Sequence, residues 1–223
     1  MIKIQHIVRE IILKEPEAYH SLTNGYINMS SYAHRIKREV ELNVKKSVTI
    51  TSLVVSLSRL KKEFQKSKPL IQDIKISNIT TKLPISEIVY ENTKDSLLKL
   101  ESFYKNTPLN RDDFFTSTVG TTELTIVCSS NITNNIIKIF KEKPKFIVHN
   151  LASVGILFDQ KYFNTPNVIF SLLSIIARAR INVAEIVSTY TEIIFVLAEE
   201  DFNKAVILFS ELHKKSNNNN NQY

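Results

Sequence analysis

The sequence has few of the residues that disulfides, metal sites and phosphate-binding loops require. Its 223 residues include one cysteine, three glycines, two methionines and no tryptophan. Cys128 has no partner for an internal disulfide and lies in an apolar run, where a small buried side chain is expected. No apolar window approaches the roughly 20 residues that cross a bilayer, and no secretory signal is evident. These absences favour a cytoplasmic protein without a membrane-spanning segment.

Residues that could support catalysis or metal binding are scattered along the chain. The five histidines lie far apart, and none belongs to an H-x-x-x-H pattern that would suggest zinc. The carboxylates of 112–113 and 199–201 lie at predicted loops and helix starts, where capping and solvation explain them. A glycine-rich phosphate-binding loop needs glycines close together in sequence. The three glycines, Gly25, Gly120 and Gly155, are far apart. The sequence therefore predicts no catalytic residue, no metal and no cofactor, and indicates a protein that is not an enzyme.

The net charge of +7 belongs entirely to the first third of the chain. Residues 1–68 contain 13 Lys and Arg against 6 Asp and Glu, whereas residues 69–223 contain 16 of each. This asymmetry points to an acidic partner for the first segment, and nucleic acid is the commonest one. A solvated basic face without a partner explains the same charge, so both interpretations stay open.

Residues 1–68 show helical periodicity and no convincing strand. Pro16 suits the first turn of a second helix, and Gly25 suits the left-handed position that ends it. Candidate caps of the two following helices are Asn28 or Ser30 and Thr49 or Thr51.

Helix, short glycine-containing turn and a later basic helix form the outline of a helix-turn-helix or winged-helix DNA-binding domain. In this interpretation the exposed side of the fourth helix contacts bases, and the third helix contacts phosphates. The candidate nucleic-acid contacts are Arg35, Lys37, Arg38, Ser52, Ser56, Arg59 and Lys62. Many helical units share the outline without binding DNA, and there such side chains serve only solvation.

After Pro69 the pattern changes to alternating strands and helices. Strands are predicted at 84–91, 114–119, 123–128 and 145–149, with helices that begin near Thr93 and Asn131. Their order is βαββαβ. A second unit follows, with strands and helices at 153–158, 166–179, 181–188, 192–197 and after Asp201.

These elements predict an α+β protein with an amino-terminal helical domain, helix-turn-helix-like in outline, and two ferredoxin-like βαββαβ modules. The expected domains are 1–68, 69–150 and 151–215. Residues 216–223 are rich in asparagine, which cannot form a core face, and are expected to be a disordered tail.

Residues 153–212 resemble an ACT domain, and in particular the second regulatory ACT module of aspartate kinases. Their sequence is SVGILFDQKYFNTPNVIFSLLSIIARARINVAEIVSTYTEIIFVLAEEDFNKAVILFSEL. The matching features are the proline-containing loop before the first helix, the strands INVAEIVST and TEIIFVLAEED, and the closing helix after Asp201. Residues 74–150 resemble the first module, with TELTIVCSS as its central strand. In aspartate kinases, a large kinase domain with glycine-rich phosphate-binding loops precedes the two ACT modules. In this chain, the 68 helical residues of the first segment occupy that place. The resemblance therefore implies a regulatory protein without kinase activity.

The resemblance also implies an effector site at the loop before the first helix and at the start of the second strand. The corresponding residues are Asp159, Asn164, Pro166, Asn167, Val168, Ile181 and Asn182. The start of this helix offers free N–H groups and a positive dipole to a carboxylate, and Asp159 is placed to pair with an ammonium group. In the alternative interpretation, Asp159 and Asn182 only form turns and caps.

Two positions depart from the family pattern. Asn167 and Arg180 stand where the family usually has glycine, and the loop before the helix is longer than usual. Asparagine tolerates a left-handed backbone well, so the fold is expected to persist, although its side chain occupies space that an effector would use.

The preferred function is an amino-acid-responsive regulator that binds a small effector through its ACT modules. Homo-oligomerisation is expected through those modules, and DNA contact through the basic helical domain. The alternative is a regulatory subunit that docks on an enzyme of amino-acid metabolism without binding DNA. A third possibility, favoured by Asn167 and Arg180, is an ACT pair that only dimerises.

Overall fold

The computed structural model describes residues 3–67 and 69–218. They form two compact units, one ending at Asp73 and the other beginning at Ile74. The change of unit lies close to the change of periodicity at Pro69. Within the described ranges, no helix has the length and apolar character needed to cross a membrane.

The first unit consists of four helices: α1 (Ile4–Lys14), α2 (Pro16–Asn24), α3 (Met29–Val44) and α4 (Ile50–Phe64). The predicted caps are confirmed, because the side chain of Asn28 accepts from the Ser31 amide and that of Thr49 from the Ser52 amide. Gly25 ends α2 with φ of 79°. Local sequence signals therefore set the limits of these helices.

The apolar stripes of the four helices meet in one core. Its fully buried members include Val8, Ile12, Leu22, Ala33, Val40, Leu53, Leu57 and Leu60. At the surface, the Arg9 guanidinium pairs with Glu63 and lies 5.6 Å from the centre of the Phe64 ring. These contacts hold α1 against α4.

The second unit is one six-stranded sheet with four helices, which confirms an α+β protein. The strands are β1 (Ile76–Glu91), β2 (Phe115–Val119), β3 (Glu123–Ser129), β4 (Phe146–Phe158), β5 (Val183–Ser188) and β6 (Glu192–Ala198). The helices are α5 (Lys94–Asn106), α6 (Ser130–Phe140), α7 (Val168–Arg178) and α8 (Phe202–Asn218). The strand order is β2-β3-β1-β4-β6-β5, and all neighbours are antiparallel.

Two long strands join the halves of this sheet. The second half of β1, from Ile85, pairs with β3, whereas its first half, 76–82, pairs with β4 at 153–158. β4 runs without a break through the expected module boundary after Asn150, where a register shift and a φ of 56° mark an irregularity.

Each half of the sheet has the strand order of a ferredoxin-like module. In the first half, the strands run β2-β3-β1-β4 with α5 and α6 as the crossover helices. The second half uses β4, β5 and β6 with α7 and α8, and its fourth strand is residues 76–82. The second module therefore takes a strand that precedes it in sequence, which is why its own residues showed only three strands.

The helices pack on two apolar cores of the sheet. α5 and α6 cover Ile88, Tyr90, Leu124, Ile126 and Cys128, while α7 and α8 cover Val154, Ile156, Ile193, Phe195 and Leu197. The alternate residues Ile85, Val127, Leu151 and Val196 point to the other face and form a separate buried cluster.

The chain end differs from the sequence-based expectation. α8 continues to Asn218, so residues 216–218 of the predicted tail are helical. Residues 219–223 lie outside the described part of the chain.

Candidate functional site

A cavity of about 320 Å³ lies in the second half of the sheet, where the loop between β4 and α7 meets the turn between β5 and β6. Its wall is formed by Phe158, Tyr162, Phe163, Thr165, Asn167, Val168, Ile169, Phe170, Ser188, Thr189, Tyr190 and Ile193. The volume is in the range of sites for small organic ligands.

The loop wall of the cavity is held by short-range hydrogen bonds. A 3₁₀ turn at Gln160–Tyr162 follows β4, and the carboxylate of Asp159 caps it by accepting from the Lys161 amide at 2.8 Å. The Tyr162 hydroxyl accepts from the Lys75 amide at 3.0 Å, which ties the turn to the chain that leads into β1. The Tyr162 ring meets Phe158 edge to face, with centroids 6.2 Å apart.

The start of α7 opens onto this cavity. Asn167 precedes the helix in the left-handed conformation, with φ of 68°, and its side chain makes no capping hydrogen bond. The Ser171 hydroxyl instead donates to the Asn167 carbonyl at 2.7 Å. The first residues of α7, Val168 to Phe170, line the cavity, so the start of the helix, which has no side-chain cap, borders this space.

The opposite wall is the β5–β6 turn, which is closed by a hydrogen bond of 2.9 Å from the Thr189 amide to the Glu192 carbonyl. The ring of Tyr190 approaches that of Phe163 across the cavity, with centroids 4.7 Å apart and planes tilted by 36°. Both rings are more than half exposed, whereas Ile193 is buried beneath them. The cavity therefore has an apolar floor and an aromatic rim.

The lining carries no ionisable carboxylate, amine, guanidinium or imidazole group. Its polar groups are the hydroxyls of Thr165, Ser188, Thr189 and the two tyrosines, together with the Asn167 amide. Nearby, Glu192 accepts a hydrogen bond of 2.7 Å from the Thr80 hydroxyl and is already engaged. The cavity is thus suited to a ligand whose inserted part is uncharged.

Two other concave surfaces have a different character. One of about 540 Å³ lies beside α6, and there Asn110 and Asn131 both donate to Asp113. These bonds, that of Asn131 first, lower the pKa of the Asp113 carboxyl below its usual range. Another, of about 510 Å³ in the helical unit, surrounds a Glu15 carboxylate that accepts from Tyr32 and Arg35. In both, the acidic group already has protein partners.

Of the predicted effector residues, the structure brings Asn167 and Val168 to the cavity. Asp159 caps the adjacent turn, and Asn164 and Pro166 are exposed in the loop. Ile181 is buried in the core under α7 and α8, and Asn182 is exposed before β5. Within this chain, the wall of the cavity opposite the loop is formed by the end of β5 and the STYT turn, including the exposed Tyr190, which was not among the predicted effector residues. The assignment of Ile181 and Asn182 to an effector site stays a prediction.

The predicted nucleic-acid contacts differ in exposure and in their protein partners. Ser56 is buried, and its hydroxyl donates to the Ser52 carbonyl, so the expectation that it is exposed is wrong. Arg35 pairs with Glu15 and lies 4.7 Å from the Tyr32 ring centre, and Lys37 pairs with Glu41 at 3.6 Å. Ser52 donates to Thr49 in the first turn of α4. Arg35 is exposed despite its ion pair, and the side chains of Arg38, Arg59 and Lys62 are exposed as well.

No group of three or more His, Cys, Asp or Glu side chains that could hold a metal ion occurs within residues 3–67 and 69–218. Cys128 is fully buried, and burial raises the pKa of its thiol to about 11. Its sulfur lies 3.7 Å from the Thr133 hydroxyl. At neutral pH this thiol is protonated and enclosed, which is the opposite of what a nucleophile needs.

The two positions where the family usually has glycine adopt the backbone that glycine favours. Asn167 has φ of 68° and Arg180 has φ of 56°. Both lie in the left-handed region, where a side chain costs energy. Both ends of α7 in this chain therefore carry a non-glycine residue in a conformation that glycine adopts most easily.

No protein-family model matches this chain, and no curated protein matches it. Solved structures do. The aspartate kinase of Clostridium acetobutylicum, described as an allosteric enzyme, superposes with a TM-score of 0.52 at 18% identity, over 66% of this chain and 37% of its own length. A chain from the structure of aspartokinase alpha and beta subunits superposes with a TM-score of 0.50 at 12% identity. The match covers 62% of this chain and 99% of that one. The aspartate kinase of Synechocystis superposes with a TM-score of 0.50 at 9% identity. The match covers 67% of this chain and 29% of the kinase.

The portion shared with these proteins is close in size to residues 74–218, and this chain spans little more than a third of the Clostridium enzyme. Identities this low establish the fold alone. The ferredoxin-like strand order of each half of the sheet is consistent with these superpositions. About two-thirds of this chain therefore has the fold of the matching portions of these aspartate kinases, as the ACT resemblance in the sequence predicted.

Proposed function

We propose that this protein is a regulator that binds a small amino-acid effector in the cavity between the loop before α7 and the β5–β6 turn. The observation that carries the proposal is the cavity of about 320 Å³ at the start of α7, beside the loop that the ACT resemblance assigns to the effector. The description of the Clostridium enzyme as allosteric gives additional support for a regulatory role.

Binding at this place links segments that are distant in sequence. Phe163 belongs to the loop after β4, and Tyr190 to the turn before β6, yet both would contact one ligand. β6 pairs with β4, and β4 pairs with β1, so the site is built on strands that run into the other half of the sheet. A ligand that holds the two segments together stabilises the whole unit and shifts its population of conformations.

Self-association is part of the proposal. The sheet ends at β2 on one side and at β5 on the other, and an edge strand offers unpaired backbone groups to a second copy. Val119 at the end of β2 and Ile186 in β5 are exposed apolar side chains on these edges. Light scattering at tens of micromolar protein should show a dimer or a larger closed oligomer, and a monomer would contradict this part.

A second candidate function is that the amino-terminal unit binds DNA. The positive charge of this unit supports it. The excess of +7 lies in residues 1–68, and Arg38, Arg59 and Lys62 are exposed. The full chain should bind duplex DNA in a salt-dependent way by fluorescence anisotropy, and replacing these three side chains by glutamine should reduce the salt slope. Absence of binding at low salt would leave docking on an enzyme of amino-acid metabolism as the role of this unit.

The effector proposal is tested by a thermal-shift screen of the twenty amino acids on the full chain. A ligand at about 100 times its Kd stabilises the native state by about 2.7 kcal/mol, which moves the Tm of a protein of this size by several degrees. The expected result is a shift with one or a few amino acids that Tyr190→Ala reduces and Tyr26→Ala does not. Tyr26 is a suitable control because it is exposed and lies in the other unit. No shift with any amino acid would contradict the proposal.

A further inference from the structure

We infer that the effector is an amino acid with a neutral aromatic side chain, and that Phe163 and Tyr190 are the residues that recognise its ring. This inference rests on the proposed function and specifies the ligand class of the same site. It is carried by the composition of the cavity wall and by the geometry of these two rings.

The wall is rich in aromatic residues. Five of its twelve residues carry aromatic rings: Phe158, Tyr162, Phe163, Phe170 and Tyr190. Most of the others are aliphatic residues or small residues with a hydroxyl group. Aromatic rings pair favourably with another ring in tilted or offset arrangements, with centroids about 4.5–7 Å apart. A ligand ring would therefore find such partners on several sides of this cavity.

The absence of charged groups from the wall discriminates among amino acids. A lysine or arginine side chain would meet no carboxylate among the wall residues, and an aspartate or glutamate side chain would meet no cation among them. The Lys161 ammonium lies outside the wall, 5.2 Å from the centre of the Tyr162 ring. Moving an unpaired charge out of water into such a place is costly. Side chains of Lys, Arg, Asp and Glu are therefore disfavoured by the same wall that favours an aromatic side chain.

Small neutral side chains are disfavoured for a different reason. A side chain such as that of threonine would leave much of a cavity of about 320 Å³ unfilled and would cover little of its apolar floor of Phe158, Val168 and Ile193. Apolar burial contributes roughly 25 cal/mol for each Å² removed from water, so affinity rises with the area of the inserted side chain. An aromatic side chain uses the space and the floor together.

Phe163 and Tyr190 stand at the entrance. Phe163 is 60% exposed and Tyr190 is 57% exposed, although their rings contact each other at 4.7 Å. Two large rings on separate segments gain little from this position in the free protein, because most of their surface stays in water. A ligand ring inserted against them would remove that surface from water and hold the loop to the turn.

The polar part of the ligand has neutral partners close by. The hydroxyls of Thr165, Ser188 and Thr189 and the amide of Asn167 line the same cavity. Such groups position the carboxylate and ammonium of an amino acid by hydrogen bonds while these charges keep contact with water at the entrance.

Isothermal titration calorimetry on the full chain tests the inference, with phenylalanine, tyrosine, lysine, threonine and aspartate as ligands. Phenylalanine or tyrosine should bind at least tenfold more tightly than the other three. Phe163→Ala and Tyr190→Ala should each weaken that binding about tenfold or more, Tyr190→Phe should preserve it, and Tyr26→Ala should leave it unchanged. Both ring variants should fold normally, since the truncated side chains are mostly exposed.

The failures of the two proposals are distinguishable. Binding of lysine, threonine or aspartate as tightly as phenylalanine would overturn the inference and leave the amino-acid-binding function standing. Binding of an aromatic amino acid that neither ring truncation weakens would overturn the roles of Phe163 and Tyr190. Absence of binding by any amino acid would overturn both the inference and the proposed function.

Discussion

The Thr80 hydroxyl donates a hydrogen bond of 2.7 Å to the Glu192 carboxylate, and this bond passes over the backbone of Gly155. The three residues lie on neighbouring strands, because Thr80 in β1 pairs with Gly155 in β4, and β4 pairs with β6. A Cβ at Gly155 would lie well within contact distance of both polar atoms. The borrowed strand of the second module is therefore held beside a glycine at which any side chain would force the Thr80 and Glu192 side chains to move.

Gly155→Ala should destabilise the protein by about 1–3 kcal/mol, because the added methyl group forces apart the Thr80 and Glu192 side chains. Differential scanning calorimetry measures the effect as a lower Tm. Gly120→Ala is the control, since its new Cβ would lie 3.3 Å from the Glu123 carbonyl oxygen, a tight contact that a small shift relieves. Adding Glu192→Ala should recover part of the loss, and equal Tm changes for the two glycine variants would contradict the explanation.

Arg180→Gly should stabilise the second unit by roughly 0.5–1 kcal/mol, because Arg180 has φ of 56° and glycine adopts this conformation without steric cost. Urea unfolding should show a higher midpoint with an unchanged slope. Arg178→Gly is a matched control inside α7, where glycine should lower stability by a similar amount. A destabilising effect of Arg180→Gly would mean that the arginine side chain contributes more than its backbone strain removes.

Tyr90→Phe should raise stability by about 1 kcal/mol. The ring of Tyr90 stacks on Phe140 with centroids 4.1 Å apart, but its buried hydroxyl has no hydrogen-bond partner among the described residues. Burial raises the pKa of this hydroxyl to about 12. Removing a buried polar group without a partner relieves its desolvation cost and keeps the stacking.

Tyr32→Phe is the opposite case. The Tyr32 hydroxyl donates to Glu15 at 3.0 Å, so its removal should lower the stability of the helical unit by about 1 kcal/mol. Chemical denaturation of both variants checks the prediction, and destabilisation by Tyr90→Phe would indicate that its hydroxyl has a partner in solution.

Glu87→Gln should stabilise the protein near neutral pH. Glu87 is buried on the face of the sheet opposite the helices, and burial, followed by the negative charge of Glu185, raises the pKa of its carboxyl. Between the unfolded pKa of about 4.3 and the higher folded pKa, the native state holds a proton that the unfolded state has released. Stability therefore falls as the pH rises through this window.

The gain from Glu87→Gln should be largest above the folded pKa and should disappear below about pH 4, where the carboxyl is protonated in both states. Thermal unfolding of both proteins across this range measures it. Glu185→Gln should shift the pH dependence in the same direction by a smaller amount, because the charge of Glu185 is the lesser cause. A stability difference that does not change with pH would exclude this account of Glu87.

Much of the local structure is determined by short stretches of sequence. Asn28, Thr49 and Thr93 begin helices because their side chains accept from an amide three residues later, which needs no distant partner. Gly25 ends α2 for an equally local reason. The βαββαβ order could be predicted because alternating and helical periodicities reveal elements before their neighbours are known. The fold was predicted by the resemblance of residues 153–212 to ACT modules.

Only the tertiary structure decided how these elements are shared and where the cavity lies. Residues 76–82 are an ordinary alternating segment, and nothing local shows that they pair with β4 at 153–158. Phe163 and Tyr190 are likewise exposed aromatic residues on two separate segments until the β5–β6 turn brings them to 4.7 Å. Strand pairing and cavity walls depend on contacts between residues that are remote in sequence, and local propensity does not encode those contacts.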